Sequence, residues 1–205
     1  MSILEKLMGL FRSGPKEVDI GVYGAPNVGK TTLANRMARD WEAKEFGRVS
    51  RVPHETRKPV RREVEISIGS KSVRFNIVDT PGITTKVDYR KFLEYGLSVE
   101  EAKRRAKEAT RGVVEAIKML KKIQGALVVV DSTRDPYDQV NITLIGNLEA
   151  NDVPFIVVAN KIDLPEADPE AVRDAFSDYT VVPVSAKTGR NMNKLYEAMV
   201  REFAR

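Results

Sequence analysis

Two short strings in this chain carry residue types that can grip different parts of one ligand. Gly24-Ala25-Pro26-Asn27-Val28-Gly29-Lys30-Thr31 fits the spacing GxxxxGK[ST]. It falls between an apolar strand candidate at residues 18–23 and a helix candidate at 31–39, the setting in which such a loop wraps around phosphate. Its glycines let successive backbone N–H groups, those of Asn27, Val28 and Gly29 among them, converge on phosphate oxygens, while the helix N-terminus behind adds partial positive charge. Lys30 is then the catalytic cation that bridges β- and γ-phosphates. Thr31 offers a hydroxyl to Mg²⁺, a hard cation that prefers oxygen, and Thr32 a backbone contact to the α-phosphate.

The second string, Asn160-Lys161-Ile162-Asp163, follows an apolar run at 153–159 that reads as a buried parallel strand ending at the ligand face of a sheet. The Asp163 carboxylate can accept from both N1–H and the exocyclic amine of guanine, whereas adenine presents neither donor. Rejection by unpaired polar groups is worth about 10⁴-fold or more. The Lys161 stem can lie along the base, and Asn160 can tie neighbouring loops together. Two further segments complete the set. Asp79-Thr80-Pro81-Gly82 ends the apolar strand at 73–78, so that Asp79 holds Mg²⁺ through water and Gly82 donates a backbone N–H to the γ-phosphate. Ser185-Ala186-Lys187 follows the strand at 180–184 and brings a backbone N–H near Ala186 to guanine O6. The expected ligands are GTP and GDP.

In this order GAPNVGKT, Glu55-Thr56-Arg57, DTPG, NKID and SAK resemble the Era-type GTPases of the P-loop translation-factor class, over roughly residues 17 to 204. The resemblance implies an α/β fold, a three-layer Ras-like P-loop NTPase G domain. It also implies that Thr56 is the first-switch threonine that binds Mg²⁺ and the γ-phosphate in the GTP state. Era carries a C-terminal RNA-binding KH domain, and the expectation here is a G domain without it. Ile83 stands where Ras-like members place the glutamine that orients water, so intrinsic hydrolysis should be slow. Asn27 matches the position that contributes to a K⁺ site in potassium-activated relatives; a loop-stabilising hydrogen bond is the other reading of this residue.

Length and composition set bounds. The 205 residues are 42% hydrophobic, enough for one ordinary core, and contain no cysteine, no secretory pattern and no run long enough to cross a bilayer. A cytoplasmic protein is expected, with lipid anchoring through cysteine or an N-terminal glycine excluded by Ser2 and the absent thiols. The net charge of +5 is modest. Positive residues gather in the first switch, at Arg48, Arg51, Arg57, Lys58, Arg61 and Arg62, opposed mainly by Glu55. That cluster reads either as a nucleotide-gated contact with RNA or ribosome, or as a solvated sheet edge guarded by cations. His54 reads as a loop residue.

Alternating strand and helix patterns predict six strands, five parallel and one antiparallel at an edge, at 17–23, 61–68, 72–79, 125–131, 153–159 and 180–184. Helices are expected at 30–42, 98–122, 137–150, 168–176 and 191–204. The long helix opens on a capping box, Ser98 with Glu101, and its apolar stripe is Val99, Ala102, Ala106, Ala109, Val113, Ile117 and Leu120. Before it, Tyr89, Phe92, Leu93 and Tyr95 extend the second switch and serve either as a partner or dimer surface or as cover for the domain core. Residues 1–15 form a separate unit before a G domain at 16–205. There Ile3, Leu4, Leu7, Met8, Leu10 and Phe11 share one face of an amphipathic helix at 2–12, which needs a membrane surface, a second subunit or the protein's own flank to cover it. The reading is a Mg²⁺-dependent GTPase switch, its regulator unknown, with slow hydrolysis that K⁺, a homodimer partner or another protein would assist. Its rivals are a membrane-recruited GTP/GDP-binding module with negligible turnover and a ribosome- or RNA-associated assembly factor.

Overall fold

The computed structural model describes residues 17–41, 58–69, 71–84 and 87–204. The helix expected at 2–12, the boundary at residue 15, and Arg48, Arg51, His54, Glu55, Thr56 and Arg57 lie outside the described residues. Apolar runs form β1 (Glu17–Tyr23), β2 (Val60–Ile68), β3 (Lys71–Asp79), β4 (Gly125–Asp131), β5 (Phe155–Asn160) and β6 (Val181–Pro183). They make one sheet in the order β2-β3-β1-β4-β5-β6. Every neighbouring pair is parallel except β2 with β3. That exception follows from chain length: β2 turns directly into β3 around Gly69, whereas parallel neighbours need crossover connections.

The crossovers carry α1 (Lys30–Asp40), α2 (Arg90–Leu93), α3 (Val99–Met119), α4 (Gln139–Ala150) and α5 (Pro169–Ala175), and α6 (Met192–Phe203) closes the chain. Side chains alternate across the strands, so the sheet feeds two cores. On one face Val18, Ile20 and Val22 of β1 meet Leu33 and Met37 of α1 and Leu195, Met199 and Phe203 of α6. On the other, Val128 and Val130 of β4 meet Leu144 and Leu148 of α4 and Val172 of α5. β4 is buried along its whole length at the centre. Among the described residues no helix is long and apolar enough to cross a membrane.

The capping box is present: Glu101 N–H donates to Ser98 Oγ at 3.3 Å and Ser98 N–H to Glu101 Oε2 at 3.0 Å. The stripe that follows keeps Ala102, Ala109 and Leu120 of the expected one and departs from it at Val99 and Ile117. α3 buries Ala102, Ala109, Gly112 and Ala116, while Val99 and Ile117 are each 45% exposed. A spacing of 3.6 residues per turn aligns 102, 109, 112 and 116 and carries Ile117 one hundred degrees past Ala116. Small side chains thus face inward because the approach is close, and the branched Val99 and Ile117 are left outside.

α2 has no counterpart among the expected elements, since four residues are too few for a periodic signal. It buries Phe92 against Ala102 and Ala109, with Val87, Tyr89, Leu97 and Ala106 around them. Of the two roles expected for the switch aromatics, cover for the domain core is not what the structure shows. They build a separate small core with the first half of α3, while Leu93 and Tyr95 are 36% and 43% exposed.

Tyr23, at the last position of β1, is fully buried, its Oη has no hydrogen-bond partner among the described residues, and burial pushes its phenol pKa up. A buried hydroxyl without a partner costs about 1–3 kcal/mol of desolvation. Tyr23→Phe should therefore leave stability within about 0.5 kcal/mol of the parent or raise it by about 1 kcal/mol, as read by urea denaturation. A loss above about 1 kcal/mol would mean the hydroxyl is satisfied.

Candidate guanine-nucleotide site

Five parallel strands end at the same edge of the sheet, and their ends and loops place the polar residues that apolar strands cannot. The loop after β1 runs through Gly24 to Gly29, and α1 begins at Lys30. Asn27 and Gly29 take left-handed backbone, with φ of 64° and 101°. Asn tolerates that region better than most residues, so the type at position 27 already has a backbone reason. Asn27 is exposed at the loop, whereas Val28 buries its side chain in the core, leaving its main chain to face the loop.

Lys30 is 6% exposed and its ammonium donates to Ala25 O at 2.8 Å. Burial pulls its pKa down to about 8, opposed by the nearby Asp79 carboxylate. A cation buried this deeply gains most from an anion brought beside it. Thr31 Oγ1 donates to Asp79 Oδ2 at 2.8 Å, joining the start of α1 to the end of β3. This hydroxyl and carboxylate are the hard-oxygen donors that suit Mg²⁺, and the fold brings them together from positions 48 apart in sequence. Thr32 is half-buried beside them.

The second-switch loop is stitched to the end of β1 and the phosphate loop. Thr80 Oγ1 donates to Val22 O at 2.7 Å, and Ile83 N–H donates to Gly24 O at 3.0 Å. A Cβ on Gly82 would lie 2.9 Å from the Pro26 Cα, so only glycine lets these loops approach this closely. Ile83 is 7% exposed and packs in the apolar cluster with Tyr23 and Leu120. It is a core residue, with no polar atom to present to a water.

The base-side residues meet around Asn160, which is 3% exposed. Its Nδ2 donates to Val28 O at 2.9 Å and its Oδ1 accepts from Ala186 N–H at 3.0 Å. A Cβ on Gly29 would sit 2.4 Å from that Nδ2, a second reason for glycine there. Ser185 Oγ donates to Asp163 Oδ1 at 2.7 Å and accepts from Thr188 N–H at 3.1 Å. Lys187 is exposed.

One residue absent from the sequence-derived set stands among them. Asp131, at the end of β4, accepts from Lys161 Nζ at 2.6 Å. Burial works against its charge, yet the hydrogen bonds from Lys161 and Thr133 outweigh that and hold its pKa below the usual carboxylate range. The available signal was positional: like Asp79 and Asn160, Asp131 is a polar residue closing an apolar strand at the ligand edge.

A family model described as 50S ribosome-binding GTPase matches residues 19–161, the span from β1 through the Asn160-Lys161 pair. The chain belongs to this GTPase family. Its relatives include elongation factor 4 of Campylobacter curvus, 31% identical over 190 residues covering 84% of this chain and 27% of the relative. GTPase Der of Desulforapulum autotrophicum is 28% identical over 202 residues, 92% of this chain and 35% of that one. The tRNA modification GTPase MnmE of Thermotoga petrophila is 27% identical over 183 residues, 88% and 34% of the two chains. The chain thus spans between 27% and 35% of the length of these three relatives. Among solved structures, Aquifex aeolicus Era bound to GDP and AlF4⁻ is similar with a TM-score of 0.70 at 21% identity, covering 92% of this chain and 57% of that one. Era in complex with MgGDPNP and a segment of 16S ribosomal RNA gives 0.69 at the same identity and coverage. The fold is therefore the Era-like P-loop G domain, six strands with one antiparallel edge strand flanked by helices.

Asn160→Ala would leave Val28 O and Ala186 N–H without their shared partner. It should lower stability by about 2 kcal/mol in urea denaturation. A change under about 0.5 kcal/mol would show that the loops hold without this bridge.

Proposed function

We propose that this chain binds GTP and GDP and hydrolyses GTP to GDP and phosphate as a nucleotide-dependent switch. The observation that carries the reading is the convergence of phosphate-type, metal-type and guanine-type groups at one sheet edge. Lys30 with Ala25, Thr31 with Asp79, and Asn160 with Val28 and Ala186 are joined across the ends of four strands, β1, β3, β5 and β6. In this reading the backbone N–H groups from Asn27 to Thr32 hold the phosphates and Lys30 neutralises the β- and γ-oxygens. Gly82 and Thr56 meet the γ-phosphate, Thr56 from outside the described residues. Lys161, Asp163, Ser185, Ala186 and Lys187 hold the base, with Asp163 accepting from its N1–H and amine.

Thr31, Asp79 and Thr56 would hold Mg²⁺, which when bound supplies positive charge against the phosphate oxygens. In hydrolysis a water oxygen bonds to the γ-phosphorus as the bond to the β,γ-bridging oxygen breaks. The electron pair of that bond leaves with GDP, and the water proton passes to the released phosphate. Ile83 offers no group to orient that water, so the rate rests on positioning and electrostatics and should be slow. A K⁺ ion beside Asn27 would add charge at the phosphates. Asn27 is exposed at the loop, and its amide carries an oxygen of the type such a cation takes.

A second reading, an output directed at ribosome or RNA, is favoured by the family description and by the 16S RNA bound to Era. The described part of the basic switch lends it less than the raw charge suggested. Arg61 of that cluster pairs with Asp19, and the neighbouring strand β3 adds Arg74, itself surrounded by Glu17, Glu63 and Glu65.

Single-turnover phosphate release from GTP, measured with Mg²⁺ in K⁺ and in Na⁺, tests the proposal. Release should exceed the protein-free rate, rise in K⁺, lose that rise in Asn27→Ala and fall about 100-fold in Asp79→Ala. Release indistinguishable from buffer in both salts would instead fit a binding module without turnover.

A further inference from the structure

Asp131 lies outside every motif that predicted the site, yet it is 3% exposed and both its oxygens are engaged. Oδ1 accepts from Thr133 N–H at 3.1 Å and from Thr133 Oγ1 at 2.8 Å. Oδ2 accepts from Lys161 Nζ at 2.6 Å and lies 3.4 Å from Nε of Arg134, whose side chain is 63% exposed. Lys161 itself has a φ of 71°, a conformation few non-glycine residues adopt, so its surroundings must hold it there. Those surroundings are defined. Asp131 faces Asn160 in the β4–β5 ladder, and Ser132 N–H donates to Asn160 O at 3.0 Å. The Lys161 side chain therefore runs from the end of one strand to a carboxylate at the end of the next.

We infer that Asp131 is a positioning residue for the guanine base: by holding the Lys161 ammonium it fixes the lysine stem as a ready-made plate before nucleotide arrives. The inference rests on the GTPase reading and adds a residue to it. A lysine left to itself loses much rotamer freedom when a ligand orders it, and that loss is charged to binding. A buried carboxylate at 2.6 Å imposes the order in advance. Arg134 is the weaker claimant on the same oxygen, being longer in distance and largely in solvent.

Two consequences separate this role from a merely structural one, in which Asp131 serves only to close the Thr133 turn. First, the effect of Asp131 must pass through Lys161. Second, the stem touches the face of the base and not its hydrogen-bonding edge. Loss of Asp131 should therefore weaken guanine and hypoxanthine nucleotides alike, whereas Asp163, which reads the exocyclic amine, sets the ratio between them.

The test is the release rate of fluorescent GDP, with equilibrium affinities for GDP and IDP, in the full chain and in Asp131→Asn, Lys161→Met, the double variant and Thr133→Val. Thermal melting of each variant accompanies these measurements. Asp131→Asn should speed GDP release by about tenfold and weaken GDP and IDP by the same factor, the size expected for one charge-assisted contact. It should have no further effect in the Lys161→Met background, and Thr133→Val should leave release within about twofold of the parent while changing only melting. An equal effect of Asp131→Asn with and without Lys161, or an equal effect from Thr133→Val, would overturn the positioning role. If Asp131→Asn fails to fold, Asp131→Glu keeps the charge and displaces it by one methylene, and an unchanged release rate in that variant also overturns it. Failure of the parent chain to bind GDP would sink the GTPase reading itself, whereas normal parent binding with an indifferent Asp131→Asn would sink this inference alone.

Discussion

Three loops that leave three different strands must hold one shape, and the Asn160 side chain is the link that makes them one object. Its amide donates to the loop after β1 and accepts from the loop after β6, while its backbone ends β5. The chain positions joined are 132 and 26 residues apart, so nothing local could set their spacing. An amide does this where a carboxylate could not, because one end must give a proton and the other receive one. Gly29 is shaped around the same group, since any side chain there would run into Nδ2.

The phosphate and metal sides depend on a parallel device. Apolar strands can enter the centre of a sheet only by carrying their polar residues at their ends, and a parallel sheet gathers those ends along one edge. Asp79, Asp131 and Asn160 are each the last residue of a strand, each nearly fully buried, and each reaches a residue on another element. Thr31, Lys161 and Ala186 are their respective partners. Such buried polar groups are costly when unmatched, which is why the fold that places them is also the fold that keeps them paired.

The strand positions, the lone antiparallel edge and the helix crossovers were legible in the sequence because apolar runs, turn glycines and loop lengths carry them locally, whereas the order β2-β3-β1-β4-β5-β6 rests on pairings between distant segments. The phosphate loop and the guanine string were legible for a related reason: their chemistry is written in consecutive residues. Asp131 was not, because its meaning lies in a contact with Lys161 across 30 positions. The stripe of α3 was read correctly at Ala102, Ala109 and Leu120 and missed at its branched members Val99 and Ile117, since Gly112 and Ala116, which are buried, give weak hydropathy contrast against them. α2 was missed because a single turn has no period, and its anchor Phe92 packs on α3 and not on the sheet. Ile83 was recognised as a departure from glutamine, but only the structure places it in the core beneath the switch.

The central claim is that this edge of the sheet is built for a guanine nucleotide, and base discrimination tests it most directly. Competition of unlabelled GDP and ADP against fluorescent GDP, in Mg²⁺ and at fixed salt, gives the ratio of their affinities. GDP should bind about 10⁴-fold more tightly than ADP, because adenine would leave the Asp163 carboxylate unpaired. Comparable affinities for the two nucleotides would contradict it.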